Sequence, residues 1–313
     1  MRKGLLADSP PFTQLIMLLF TMVTCFLLFM FMGILLAPPI LGIPIAELMH
    51  QINNGNINQN LSLMRYMQTL HSVSLFTVPA FFAAYLFSET VGVSTKLNVA
   101  GYLGLRQSVS VKWFGAVLLL VVAVNPFINL LGALNEMIVF PESMAGLEQR
   151  LKASEEAAQQ MIKLFLDVES TGGILFNIFM MAVLPALGEE LIFRGILQKI
   201  FVRWTGNVHL AIIVTGLLFS MMHLQFYGLF PRWLLGVMFG YMLVWSGTIW
   251  LPIFAHFVQN SVAVFLSWLI HKGTIPEEIE TFGATWGDIP ITIVATTICV
   301  WLFWKIKTKK SDS

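Results

Sequence analysis

The chain has 313 residues, 57% of them hydrophobic and only 11% charged, with a formal net charge of +1 and a mean hydropathy of +0.78. A soluble domain carries about a quarter charged residues, so this composition excludes a water-soluble globular protein. The charge balance also leaves no basic footprint for nucleic acid. The class that remains is an all-α, polytopic integral membrane helical bundle.

Measured against the roughly 20 apolar residues needed to cross a bilayer, the chain offers about eight transmembrane helices. The first, Phe12–Ala37, is too long for a signal-peptide core and lacks a small-residue cleavage site, so it is read as a retained helix. An Asn- and Gln-rich stretch, Gln51–Asn60, reads as a solvated loop before Met67–Phe87 and Val111–Leu131. Next comes Glu142–Val168, where Met144, Leu147, Leu151, Ser154, Ala158, Met161 and Phe165 recur at alternating gaps of three and four. That stripe predicts an amphipathic helix on the outer side, lying on the bilayer or on the protein's own surface. The remaining spans are Gly173–Val202, His209–Phe226, Trp233–Trp245, Ile249–Ile270 and Ile289–Trp304. There is no convincing repeat and no separate soluble domain, so residues 1–313 form one membrane domain.

Orientation follows the excess of Lys and Arg on the cytoplasmic side. With the N-terminus inside, Arg2, Lys3, Lys96, Arg106, Lys112, Arg194, Lys199, Arg203, Lys305, Lys307, Lys309 and Lys310 face inward, which is most of the 18 basic residues. Both termini are therefore expected in the cytoplasm, and short loops without targeting signals fit a bacterial inner membrane. Cys25 and Cys299 lie in apolar runs near opposite ends of the chain, without metal-ligand spacing, and read as packing residues.

The fourth span holds the most informative residues, Glu189, Glu190 and Arg194. Ionisable side chains inside a membrane helix are costly and mark function by default. Pro185 and Gly188 precede them, and a proline there removes a backbone hydrogen bond and can bend the helix, while the glycine adds local freedom. Two further polar clusters follow, Phe219-Ser-Met-Met-His223 and His256-Phe-Val-Gln-Asn260. At about 1.5 Å per residue, Glu189 and His223 both fall roughly 20 Å from the inner face, with His256 and Asn260 at about 10–18 Å. The four groups therefore overlap in depth.

Spacing within the helices refines this. Glu190 and Arg194 are i, i+4 and can pair on one face, whereas Glu189 sits about 100° round the helix and can do another job. His256 and Asn260 are also i, i+4. A carboxylate and an imidazole can activate water as general bases, and an imidazole and an amide can donate to a developing oxyanion. These are the parts of a hydrolase that attacks an amide without a covalent intermediate.

Glu189-Glu190-x-x-x-Arg194, Phe219-x-x-x-His223 and His256-x-x-x-Asn260, in this order on successive spans, resemble the three-motif signature of the CPBP family. That family comprises CAAX prenyl endopeptidases and Abi-type intramembrane glutamic proteases. The resemblance spans about residues 173–265 and implies Glu189 as the carboxylate that activates water, with His223 helping to hold it. It implies that Glu190 and Arg194 support the site, and that His256 and Asn260 form an oxyanion hole. The expected partners are the lipid bilayer and a peptide or lipidated protein substrate, with no cofactor. Substrate identity, cleavage site and oligomeric state stay open.

Blander readings exist for the same residues. Glu190 and Arg194 could be a structural ion pair, and His256 and Asn260 interhelical hydrogen-bond links. The whole could be a non-proteolytic scaffold or immunity protein, or a proton-coupled transporter using Glu189, although the paired repeats of transporters are not seen. Glu189, His223 and His256 could make a two-histidine, one-carboxylate zinc site, but no His-Glu-x-x-His stretch is present. Gly236-Val-Met-Phe-Gly240 has the small-xxx-small spacing of closely approaching helices, inside the protein or between copies. His50, His71, His209 and His271 lie near expected span ends and read as interfacial or loop residues.

Overall fold

The computed structural model describes residues 3–53, 60–89 and 97–308. Residues 54–59 of the expected polar loop lie outside these, as do Arg2, Lys96, Lys309 and Lys310 from the charge count. The described residues are helical, with a single isolated backbone bridge between Lys3 and Glu89 in place of any sheet. In chain order the main helices are α1 (Pro11–Leu41), α2 (Ile45–Asn53), α3 (Leu61–Phe87) and α4 (Val111–Glu136). After them come α5 (Ala145–Leu166), α6 (Thr171–Thr205), α7 (Val208–Met221), α8 (Leu229–Ser246), α9 (Trp250–His271) and α10 (Ile289–Thr308).

Six helices among the described residues are long and apolar enough to cross a bilayer, and α7 and part of α10 are shorter apolar helices. All eight expected spans therefore coincide with helices, and the polytopic helical class holds. The lengths differ in ways that matter. Helix α7 ends at Met221, not at Phe226, and its 14 residues rise only about 21 Å. His223 consequently sits beyond the helix, in the turn that follows. Helix α3 begins six residues before the expected Met67. His71 is thus in mid-helix, edge-on to Phe26 and Phe76, rather than at an interface. Gln51, Ile52 and Asn53 close α2 instead of opening a loop.

Local chemistry explains the joints. Asn60 caps α3 by accepting from the Leu63 N–H, and Ser170 caps α6 by accepting from Gly173. Gly206, left-handed at φ 65, ends α6. Asn207 then opens α7 by accepting from both His209 and Leu210. Helix α6 runs through two π turns, Phe179–Val183 and Phe193–Leu197. The first absorbs Pro185: the Leu184 N–H reaches back to the Phe179 carbonyl just before the residue that has no N–H to give.

Two apolar clusters build the body. One joins α1, α3, α6, α7 and the start of α9 through residues such as Leu18, Phe76, Ile196, Phe219 and Ile253. The other joins α4, α8, α9 and α10 through Val121, Phe239, Ala255 and Leu302. Helices α7 and α8 pack backbone to backbone: a Cβ on Gly236 would lie 2.8 Å from Gly216 Cα. Gly236 and Gly240 therefore serve packing inside one chain. Gly188 is likewise a close-approach residue, since a Cβ there would lie 2.8 Å from Phe76 Cβ in the π turn of α3. Cys25 is half-buried and Cys299 buried, both as free thiols.

Helix α5 carries the expected amphipathic stripe, but the stripe is covered only at its C-terminal end. Phe165 and Leu166 are buried, while Met144, Leu147 and Met161 are exposed. Its middle docks on the turn after α7, where the Ser154 hydroxyl donates to the Leu224 carbonyl.

The contrast between crowded and open glycines is testable. Gly236→Ala forces the α7 and α8 backbones apart and should cost about 1–3 kcal/mol. Gly115→Ala, in the second turn of α4 with nothing within 4 Å, should be neutral or stabilising by up to about 1 kcal/mol. Melting curves of the purified variants in one detergent read the difference, and equal effects would contradict the packing.

Candidate active site

The polar cluster sits on the seam between the two apolar clusters. Glu190 and Arg194, one turn apart on α6, are both fully buried. Arg194 Nη1 donates to Glu190 Oε1 at 2.7 Å, and its Nη2 donates to the Gly236 carbonyl at 2.8 Å. The latter contact depends on α8 offering bare backbone at a glycine. The guanidinium lies over the rings of Phe219 at 4.7 Å and Phe239 at 5.4 Å, an arrangement that suits its planar, weakly hydrated charge.

Glu190 Oε1 also pairs with His256 Nδ1 at 2.9 Å. A carboxylate accepts only, so Nδ1 of His256 carries the proton in this pair. The ring is stacked on Phe239 and edge-on to Phe219, which leaves Nε2 directed at Glu189 Oε2, 4.0 Å away. Glu189 is buried as well, yet its Oε2 has no hydrogen-bond partner. Glu190 likewise keeps Oε2 without a partner, so the adjacent glutamates differ in place: Glu190 holds two donors on Oε1 away from the cavity, whereas Glu189 faces it.

His223 is oriented by its own turn. Its Nδ1 lies 3.0 Å from the Phe219 carbonyl, so Nδ1 is the donor and Nε2 keeps its lone pair. The turn is strained, for Leu224 takes φ 54 while 75% exposed, and such backbone clusters at functional sites. Asn260 is held by a less obvious device. Pro185 lacks the N–H that would bond the Met181 carbonyl in a regular helix, and Asn260 Nδ2 donates to that carbonyl at 3.3 Å instead.

A cavity of about 350 Å³ opens between α3, α5, α6, α8 and α9, and Glu189, His223, His256 and Asn260 all border it. Glu190 and Arg194 do not; they lie behind its wall. All six expected residues therefore gather in one place, four at the cavity and two as its support. Sequence reading missed Phe239, Gln68, Gln259 and Arg232, which also line it. Phe239 and Gln259 fall inside stretches quoted for other residues, and Arg232 heads the apolar run Trp233–Trp245 as a cation. No group of three or more His, Cys, Asp or Glu side chains placed to hold a metal occurs among the described residues. The donors that do converge pair with one another.

The fold and site define a helical membrane protein with a buried carboxylate, imidazole and amide around one cavity. Residues 171–262 match the family model described as Type II CAAX prenyl endopeptidase Rce1-like. The resemblance to the CPBP proteases is thus borne out over that segment, which contains all six site residues and stops two residues after Asn260. The chain is also 30% identical over 93 residues to the uncharacterised protein YpbD of Bacillus subtilis (strain 168). That stretch is 28% of this chain and 43% of YpbD, so the chain spans less than half of that relative. No solved structure matches.

Two predictions follow from the support behind the cavity. Arg194→Met strands Glu190 without its counter-charge and should cost about 3–5 kcal/mol, with Arg194→Lys recovering only part because one ammonium replaces a two-armed fork; thermal unfolding in detergent measures both, and a neutral Arg194→Met would refute the pairing. Pro185→Ala restores the backbone bond to Met181 and should release Asn260. A structure of that variant with Asn260 unmoved would dismiss the proline's role.

Proposed function

We propose that the protein is an intramembrane endopeptidase that hydrolyses a peptide bond of a membrane-associated, prenylated or leader-type substrate with water activated by Glu189. The contrast between the glutamates carries this reading. Glu190 is held on Oε1 by Arg194 and His256 and lies behind the cavity wall, whereas Glu189 borders the cavity with an unpartnered oxygen. A general base needs a free lone pair within reach of the proton it takes, and of the two carboxylates it is Glu189 that presents one to the cavity.

In this reading Glu189 takes a proton from water as the oxygen attacks the peptide carbonyl carbon, and His223 Nε2 accepts a hydrogen bond from the same water. The carbonyl becomes an oxyanion. The second N–H of Asn260 donates to it, and so does His256 Nε2 in its imidazolium form, which the Glu190 carboxylate holds from behind. The proton on Glu189 passes to the amine nitrogen as the C–N bond breaks, giving a carboxylic acid and an amine. Glu190 and Arg194 are positioning residues here, and no metal takes part. The distribution of Lys and Arg supports both termini in the cytoplasm, and the short loops fit a bacterial inner membrane.

Hydrolysis of a peptide library by the purified protein in lipid, with and without chelator, tests this. Glu189→Gln should keep the wild-type melting temperature and lose at least about 10²-fold in rate, and chelator should change nothing. Glu190→Gln should lose both stability and rate. Wild-type turnover by Glu189→Gln, or abolition by chelator, would overturn the reading.

A further inference from the structure

Among the described residues, Arg232 is the one cation on the cavity wall that the proposed chemistry does not use. It stands in the first turn of α8, the positive end of the helix dipole, where a cation costs rather than adds stability. The fold nevertheless makes room for it: a Cβ on Gly228 would overlap the guanidinium. Among the described residues its hydrogen bond is a single one, from Nη1 to the Gln225 carbonyl at 3.3 Å. The guanidinium has five N–H donors, so most remain for something else.

Near it, outside the cavity lining, is Glu155 of α5. The two interact electrostatically, while the Glu155 carboxylate accepts its hydrogen bond from Gln225 Nε2 at 3.2 Å. Burial pushes the Glu155 carboxyl above its ordinary value and the Arg232 charge pulls against that. Gln225 thus links both groups, its carbonyl to Arg232 and its amide to Glu155, in the strained turn that carries His223. A protein carboxylate already opposes the guanidinium without taking its fork.

Resting on the protease reading above, we propose that Arg232 is a specificity-determining residue that binds a carboxylate of the bound peptide, which takes over from Glu155 as its counter-ion. The cavity, at about 350 Å³, is at the small end of the range that holds drug-sized ligands. It therefore encloses only a few residues, and an anion within reach of Arg232 lies close along the chain to the bond facing Glu189. Two sources supply that chemistry: the free C-terminus of the peptide, or an acidic side chain. Either gives Arg232 a paired, charge-assisted contact.

Binding by the Glu189→Gln full-length protein in lipid nanodiscs separates these from a merely structural arginine, with three fluorescent probes of one apolar hexapeptide. The first ends in a free acid and the second in an amide; the third ends in an amide but carries one Glu. At least one carboxylate-bearing probe should bind at least about tenfold more tightly than the neutral amide. Preference for the first assigns the terminus, and preference for the third assigns a side chain. Arg232→Gln should erase that preference while leaving the neutral amide's Kd unchanged, and Arg232→Lys should restore part of it.

Equal binding of all three probes, no saturable binding of any, or an equal loss for every probe in Arg232→Gln would overturn the anchor. Cleavage is read separately with the wild-type protein. Carboxylate preference without hydrolysis would contradict the protease reading and leave the anchor standing. Hydrolysis without that preference would do the reverse.

Discussion

The structure depends on one buried constraint: a carboxylate inside an apolar bundle must be answered. Glu190 is answered twice, by Arg194 from its own helix and by His256 from α9, and Arg194 reaches on to the α8 backbone. Three helices are thereby tied at one depth. A charge pair of this kind adds little net stability compared with apolar packing, but removing one partner is expensive. Its value is register. It fixes where α6, α8 and α9 stand, and so where Glu189, His256 and Asn260 point.

Around that tie, backbone irregularity does the aiming. Regular helices would spend every carbonyl internally. The proline at position 185 frees the Met181 carbonyl for Asn260, and a π turn just before it keeps the helix continuous. Glycines at 216 and 236 let α7 and α8 touch, which exposes the carbonyl that Arg194 needs. Helix α7 stops short, and the turn after it presents His223 from non-helical backbone. Such backbone is tolerated at membrane depth where protein or a polar cavity covers it.

Much of this was legible in the sequence, for specific reasons. Helix positions follow from hydropathy alone, because lipid permits few alternatives. The convergence of Glu189, His223, His256 and Asn260 followed from counting residues along helices that the charge pattern orients. What could not be read was long-range. The start of α3 was missed because Arg65 interrupts the apolar run. That charge is satisfied by Asn177 and the Gly173 carbonyl on α6, more than a hundred residues away. Arg232 looked like a flanking charge until the fold set it on the cavity wall. The i, i+4 spacing announced the Glu190–Arg194 pair, but not that His256 would share the same oxygen and leave Glu189 free.

The most direct test of this division of labour is a structure of Glu189→Gln in lipid with an uncleaved peptide bound. The account predicts a peptide carbonyl carbon in the cavity opposite residue 189, its oxygen within hydrogen-bonding reach of Asn260, and the Glu190–Arg194–His256 contacts unchanged. A peptide bound elsewhere, or a carbonyl turned toward Glu190 with that tie broken, would contradict it.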